Sequence, residues 1–255
     1  MNGQFSAALR SCYNASMRLS VIMPVFNEVT TLRAILERVR AVPVDKEIVV
    51  VDDGSTDGSS AVLAALDWPE LRIIRENHNH GKGYAVRRGL AAATGCHVII
   101  QDADLEYDPR DYLPLLRAQA ATGAAVVYGN RLHAGNREFS YRRYLLGGML
   151  LTFVTNLLYG ARLHDEPTGY KLFDARLLKS LRLECNGFDF CPEVTAKVLR
   201  LGYRIIEVPI RYRPRSFAEG KKVRWRDGLI ALWILLKYCR AGARRIVSPR
   251  STNTA

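Results

Sequence analysis

The sequence lacks a C-x-x-C pair, an apolar run long enough to span a bilayer and a cleavable export signal. Its five cysteines (Cys12, Cys96, Cys185, Cys191 and Cys239) are odd in number and scattered. That excludes a paired disulfide framework or a cysteine zinc site, and indicates free thiols in a reducing compartment. The most apolar stretches, Leu145–Leu158 and Gly228–Leu236, fall short of the ~18–20 residues a membrane span needs. Met1–Met17 has neither the cationic start nor the apolar centre of a signal peptide, and reads as an N-terminal extension. Together these absences predict a cytoplasmic protein, attached at most peripherally to the cytoplasmic face of a membrane. Acids are also scarce at one end. Between residues 200 and 250 there are fourteen Lys/Arg against three acids, which accounts for most of the net charge of +12. Such a basic segment suits nucleic acid, an anionic membrane surface or a phosphorylated substrate. No nucleic-acid-binding motif accompanies it, so nucleic acid is not expected as a partner.

What is present is the pattern of an α/β domain. Leu19–Met23 reads as a strand stopped by Pro24, and Leu32, Ile35, Leu36 and Val39 fall on one helical face. Glu47–Val51, Leu71–Arg75, His97–Ile100 and Ala124–Tyr128 read as further strands, with helices through Val62–Leu66, Gly83–Ala93 and Tyr112–Leu116. Near-continuous apolar strands alternating with helices predict a mostly parallel sheet covered on both faces. A long helix is expected over Tyr141–Tyr159, a turn-rich segment over Asp165–Lys171, and a helix opening at Pro192 or Glu193. A strand over Tyr203–Val208 and a last helix over Trp225–Arg240 follow. The expected organisation is an extension at 1–17, a catalytic domain at 18–222, and an amphipathic helix with a basic tail at 223–255.

Ligands of such sheets sit beyond the carboxyl ends of the strands, and there the chain places polar clusters: Pro24–Glu28, Asp52–Asp57, Asp102–Glu106 and Asn130-Arg131. The cluster Gln101-Asp102-Ala103-Asp104-Leu105-Glu106 is the most demanding. Carboxylates two residues apart at a buried strand end repel one another unless a cation or several donors compensate. Hard oxygen ligands suit Mg²⁺ or Mn²⁺; the plainer reading is a turn and N-cap cluster ahead of Asp108-Pro109. Arg211, Arg213, Arg215, Lys221 and Lys222 are either phosphate ligands or a solvated basic loop. Trp225, Leu229, Leu232, Trp233 and Leu236 share a helical face flanked by Arg224, Arg226, Lys237 and Arg240, as in an interfacial helix; core packing is the alternative. His78 and His80 read as loop residues.

In their order, Pro24-Val25-Phe26-Asn27-Glu28, Val51–Asp57, Gly81-Lys82-Gly83 and Gln101–Glu106 resemble family-2 glycosyltransferases of the GT-A fold. Gly129-Asn130-Arg131, Asp165–Lys171, Pro192–Lys197, Glu207–Ile210 and Glu219–Lys222 narrow the resemblance to dolichol-phosphate mannose synthase and related polyprenyl-phosphate sugar transferases, over roughly residues 19 to 240. The resemblance implies a metal-dependent inverting transfer of a hexose from a GDP- or UDP-sugar to a polyprenyl phosphate. Pro24, Phe26, Asn27, Glu28, Asp52, Asp53, Lys82, Asp102 and Ala103 would then bind the donor. Asp102, Asp104 and Glu106 would hold the metal, and Arg131, Arg143, Arg215 and Lys221 the acceptor phosphate, with Asp102, Asp104, Arg131 and Asp165 central to catalysis. Relatives often carry transmembrane helices after this domain. Without them, attachment is expected to be peripheral or to depend on a membrane partner protein. A hydroxyl acceptor is the alternative, and it would need a general base from Asp165, Asp189 or Glu193. A dehalogenase-like phosphatase also places Asp-x-Asp after a strand, but Glu106 stands where that family has Thr or Val.

Overall fold

Runs of β-branched residues set the centre of the fold, which a computed structural model describes over residues 18–133, 142–215, 225–240 and 246–247, with Arg142 and Arg143 as backbone only. The strands are β1 (Leu19–Val25), β2 (Lys46–Asp53), β3 (Leu71–Glu76), β4 (His97–Ile100), β5 (Val126–Asn130), β6 (Lys171–Asp174) and β7 (Ile205–Pro209). They form one sheet in the order β3-β2-β1-β4-β6-β5-β7. All neighbours are parallel except β6, which runs antiparallel to both β4 and β5. Successive side chains of a strand point to opposite faces, and two cores result. Ile22, Val98, Ile100 and Phe173 face one core; Val21, Met23, Ile99 and Leu172 face the other.

The helices are α1 (Leu32–Ala41), α2 (Ser59–Ala64), α3 (Lys82–Ala92), α4 (Tyr112–Thr122), α5 (Arg142–Tyr159), α6 (Ala175–Ser180), α7 (Phe190–Arg200) and α8 (Trp225–Cys239). Helices α1 and α4 cover the second core, whereas α3, α7 and α8 cover the first. Helix α8, for which the sequence leaves interfacial and core-packing roles both open, contributes Ile234, Leu235 and Tyr238 to that first core.

Three sequence readings need correction. Pro24 does not end β1, which pairs through Pro24 to Val25 with β2. The β4 ladder stops at Ile22–Ile100, so the missing N–H of Pro24 faces no strand and costs no ladder bond. Asp52 and Asp53 lie inside β2 rather than beyond it, each 2% exposed. The turn-rich segment Asp165–Lys171 leads into a strand that the sequence does not suggest. Four residues, Lys171–Asp174, form β6 between β4 and β5, and α6 follows with Asp174 accepting from Leu177 N as its N-cap.

Helix α7 carries a buried ion pair, Glu193 to Lys197 at 2.7 Å, with both side chains fully buried. Glu193 also accepts from Glu184 N (2.8 Å), Cys185 N (2.9 Å) and Tyr238 Oη (3.2 Å). It joins α7, α8 and the loop ahead of α7, and has no oxygen left for chemistry. Removing one member of a buried pair typically costs ~3–5 kcal/mol because the other charge is stranded. Lys197→Ala should therefore lower the melting temperature by roughly 6–15 °C, measurable by thermal denaturation monitored by circular dichroism. Wild-type stability in the variant would show that the pair is not structural.

Candidate active site

The carboxyl edge of the parallel strands is built by side chains that tie loops to one another. Asp53, at the end of β2, accepts from His80 N (3.0 Å), Gly81 N (2.7 Å) and the His80 ring (3.2 Å), fixing the loop that opens α3. Gly54, at φ +73°, lets this turn pass so close to His78 that a Cβ would lie 2.5 Å from its carbonyl carbon. Asp52 accepts from Ser55 N (3.0 Å) and from the Ser60 hydroxyl. Asn27 is held at φ 53°, a left-handed conformation that Asn tolerates better than most residues. Its side chain accepts from Thr56 N (2.8 Å), and its N–H donates to Ser55 Oγ (3.0 Å). Several of the residues expected to bind the donor thus meet here, with the carboxylates of Asp52 and Asp53 hydrogen-bonded to the adjoining loops. Pro24 and Phe26 lead into this corner from β1, and Phe26 is half-buried.

Beyond β4 the carboxylates gather around cations. Lys82, the first residue of α3, reaches Asp102 Oδ1 at 2.5 Å. Burial works against its ammonium charge, but Asp102 beside it holds the pKa above the usual lysine value. Arg215 reaches Asp104 Oδ2 at 2.8 Å, Glu28 Oε2 at 3.0 Å and Glu106 Oε1 at 3.7 Å. Glu106 also accepts from Arg215 N (2.9 Å) and Tyr212 Oη (3.0 Å). Ala103 contributes its carbonyl, which accepts from Thr31 Oγ1 at 2.9 Å. Gln101 pins the strand end. Its amide donates to Asp102 O (2.9 Å), and its Oε1 accepts from Tyr112 (2.5 Å) and Tyr170 (2.7 Å). Gly169 lies against the cluster, where a Cβ would sit 2.8 Å from the Tyr107 ring and 3.0 Å from Asp102 Oδ2.

On the other side of Tyr107 and Tyr212, Arg131 and Asp165 form a two-pronged pair, Nε to Oδ2 at 2.8 Å and Nη2 to Oδ1 at 2.7 Å. Arg131 N donates to Oδ2 as well (2.8 Å). Burial raises the pKa of Asp165, but Arg131 outweighs it and holds the carboxyl below the usual range. The side chain of Arg143 and all of Lys221 lie outside the described residues.

Asp102, Asp104 and Glu106 do not form a cage: among the described residues no three potential ligands converge. Asp102 turns to Lys82, while Asp104 and Glu106 share a guanidinium with Glu28. Yet the residues fit a divalent cation. Among the described residues, four carboxylates (Glu28, Asp102, Asp104, Glu106) gather around Lys82 and Arg215. Burial, then Asp102 and Glu106, push the Asp104 carboxyl up to about 7 despite Arg215. These are hard oxygen donors crowded against one another, the ligand type that suits Mg²⁺ or Mn²⁺. A bound metal would supply Lewis-acid stabilisation of a leaving diphosphate.

Comparison with known proteins agrees with this geometry. Residues 20–182 match the model of Glycosyl transferase family 2, and the chain belongs to that family; it is a glycosyltransferase. Within the family it falls with the polyprenyl-phosphate branch. It is similar to the undecaprenyl-phosphate mannosyltransferase of Micrococcus luteus, 30% identical over 80% of this chain and 87% of the relative. It is likewise similar to the polyprenol monophosphomannose synthase of Mycolicibacterium smegmatis, 30% identical over 81% of each chain. The fold is shared with glucosyl-3-phosphoglycerate synthase from Mycobacterium tuberculosis in complex with UDP, at a TM-score of 0.69, 22% identity, and coverage of 91% of this chain and 83% of that one. The sheet is thus a GT-A sheet, as the sequence led one to expect.

The crowding of carboxylates at buried Asp104 yields a prediction. Asp104→Asn removes a buried carboxylate that the metal-free protein accommodates poorly, so the variant in EDTA should melt at or above the wild-type temperature. Mn²⁺ should raise the wild-type melting temperature and leave the variant nearly unchanged, since only a ligand that binds the folded state stabilises it. Equal Mn²⁺ shifts in both proteins would remove Asp104 from the metal site.

Proposed function

We propose that the protein transfers a hexosyl group from a GDP- or UDP-sugar to a polyprenyl phosphate, with inversion at the anomeric carbon and with Mg²⁺ or Mn²⁺ at Asp102, Asp104 and Glu106. The observation that carries the choice of acceptor is the state of Asp165. Bound through both oxygens to Arg131 and held in the ionised form by it, Asp165 is an anchor for an arginine rather than a proton acceptor. Glu193, another candidate base, is buried in its pair with Lys197. A phosphate monoester needs neither, because its second pKa near ~6 leaves it largely dianionic at neutral pH. Its need is for cations, which let an anionic nucleophile approach an anionic donor. Arginine suits that role through its planar fork of donors. Arg131, oriented by Asp165, and Arg215 are the groups assigned to it, joined by Arg143 and Lys221. A phosphate oxygen of the acceptor forms the new bond to the anomeric carbon as the bond to the nucleoside diphosphate breaks, and no proton has to move. The relatives named for undecaprenyl-phosphate and polyprenol substrates support the same acceptor.

The outer surface supports delivery from a membrane. Helix α5 exposes Leu146, Met149, Leu150, Phe153 and Leu157, and α8 exposes Trp225, Leu229, Ile230, Trp233 and Leu236. The two helices are in contact, with Tyr159 Oη donating to Leu235 O at 2.6 Å. Arg226 and Lys237 lie beside Trp225 and Trp233. Two joined apolar faces with cationic flanks match an interfacial surface for anionic lipid. The surface abuts the acceptor side, since Thr152 of α5 accepts from Glu166 N at 3.1 Å. No helix among the described residues is long and apolar enough to cross a membrane. We assign peripheral attachment at the cytoplasmic face, alone or through a membrane partner protein.

Transfer from a panel of GDP- and UDP-sugars to a short polyprenyl phosphate, with Mn²⁺ or EDTA, tests the reading. A metal-dependent glycosyl-phosphoryl-lipid that disappears in Asp104→Ala is expected. Asp165→Asn, if it folds, should keep kcat within about tenfold of wild type, whereas loss of a true general base costs ~10²–10⁴-fold. Transfer to sugar hydroxyls but not to the lipid phosphate would replace this reading with the hydroxyl one. Separately, Leu229→Glu with Trp233→Glu should abolish co-sedimentation with vesicles containing anionic lipid while sparing transfer to a detergent-dispersed short-chain acceptor. Undiminished vesicle binding would rule out α8 as the contact surface.

A further inference from the structure

Between the C-terminal turns of α1 and the first turns of α4, on the sheet face opposite α8, lies an open cleft of about 540 Å³. Its floor is apolar, formed by Ala41, Val42, Pro43, Leu113 and Pro114, and four arginines line it: Arg38, Arg110, Arg117 and Arg211. Arg110 and Arg211 are paired with acids, Arg110 with Asp108 at 2.5 Å and Arg211 with Asp108 and Asp111 at 3.2 Å each. Arg38 and Arg117 are exposed and form no ion pair with any described residue. The cleft therefore carries two arginines beyond what its own acids balance. None of these four arginines touches the carboxylates that face Lys82 and Arg215.

We propose that this cleft is a second anion site, taking a small soluble phosphate-bearing molecule with an apolar or planar portion. Two unpaired guanidiniums above an apolar floor suit a dianionic phosphate: each fork donates two hydrogen bonds to phosphate oxygens, while the floor accepts the uncharged part. The volume lies within the range of small-molecule sites. Position distinguishes the source of the phosphate. The exposed apolar faces of α5 and α8 belong to the other side of the sheet, so the cleft is directed away from the surface assigned to lipid, which favours a soluble ligand over a lipid headgroup.

Isothermal titration of the full chain with inorganic pyrophosphate in EDTA tests the site, because without metal the carboxylate cluster repels the same probe. One equivalent should bind saturably to wild type, and Arg38→Ala with Arg117→Ala should weaken it at least about tenfold. A control carrying Arg162→Ala with Arg176→Ala, equal in charge change and likewise exposed, should bind as wild type does. Arg38→Lys with Arg117→Lys should bind between wild type and the alanine pair. Transfer activity and vesicle binding should be unchanged in the Arg38/Arg117 variant. Equal weakening in the control pair, or absence of saturable binding, would reduce the effect to general surface charge and overturn the site. Loss of anionic-vesicle binding with pyrophosphate binding intact would overturn it in favour of a lipid contact. Failure of the lipid-phosphate acceptor assay would leave this result untouched, since the two rest on different residues.

Discussion

Negative charge at the carboxyl edge of the sheet governs the rest of the structure. The ends of β1 and β4 bring Glu28, Asp102, Asp104 and Glu106 together, where burial weakens hydration and repulsion is poorly screened. Among the described residues the cations that meet them come from far apart in sequence: Lys82 from the start of α3 and Arg215 from the segment after β7. The edge is therefore held together by the attraction that it must later redirect. A divalent cation is the simplest charge that completes it. Arg215, released from Asp104 and Glu106 by such an ion, would be free to meet a phosphate. This links metal, donor and the basic segment through electrostatics alone.

Not all acids at this edge are alike. Asp52 and Asp53 are buried, yet they are compensated by backbone N–H groups, hydroxyls and the His80 ring rather than by lysine or arginine among the described residues. Hydrogen bonds of this kind settle a carboxylate where it is and give it no reason to bind an ion. Among the described residues Asp104 has one backbone donor, Glu106 N at 3.0 Å, and it lies between Arg215 and the acids Asp102 and Glu106. The contrast distinguishes hydrogen-bonded carboxylates from charge-crowded ones within one motif-rich region.

Much of this could be read in the sequence, for a physical reason. Strands such as His97–Ile100 are local and strongly β-branched, and parallel sheets leave their ligands at one edge, so four polar clusters after four strands located the site. What could not be read depended on contacts between distant segments. Strand β6 has four residues and begins with a lysine; it is a strand only because β4 and β5 flank it and because Lys171, buried, donates to Glu166 O (2.6 Å) and lies over the Tyr128 ring (3.7 Å). Glu28 was legible as a pocket residue but not as a partner of Arg215, 187 positions away. The commitment of Glu193 to Lys197 was visible in principle, as an i, i+4 pair on a helix, but its burial was not. The unpaired arginines of the α1–α4 cleft gave no signal, since an exposed arginine looks the same in sequence whatever its neighbours.

The Arg131–Asp165 pair shows how one contact can connect the surface to the chemistry. Asp165 takes Glu207 as a second anchor through its own N–H at 2.9 Å, and the next residue is tied to Thr152 of α5. Gly148 of the same helix packs against Pro167, where a Cβ would lie 3.3 Å from the ring. The segment that orients Arg131 therefore rests directly on the helix whose outer face is apolar. A helix that settled into a lipid surface would carry this segment with it as a rigid support, because buried pairs and packed backbones do not deform gradually. An acceptor whose tail stays in lipid and whose phosphate rises past α5 would meet Arg131 already aimed. On the proposed reading, site and surface act together, with the arginine positioned by the element that the lipid would touch.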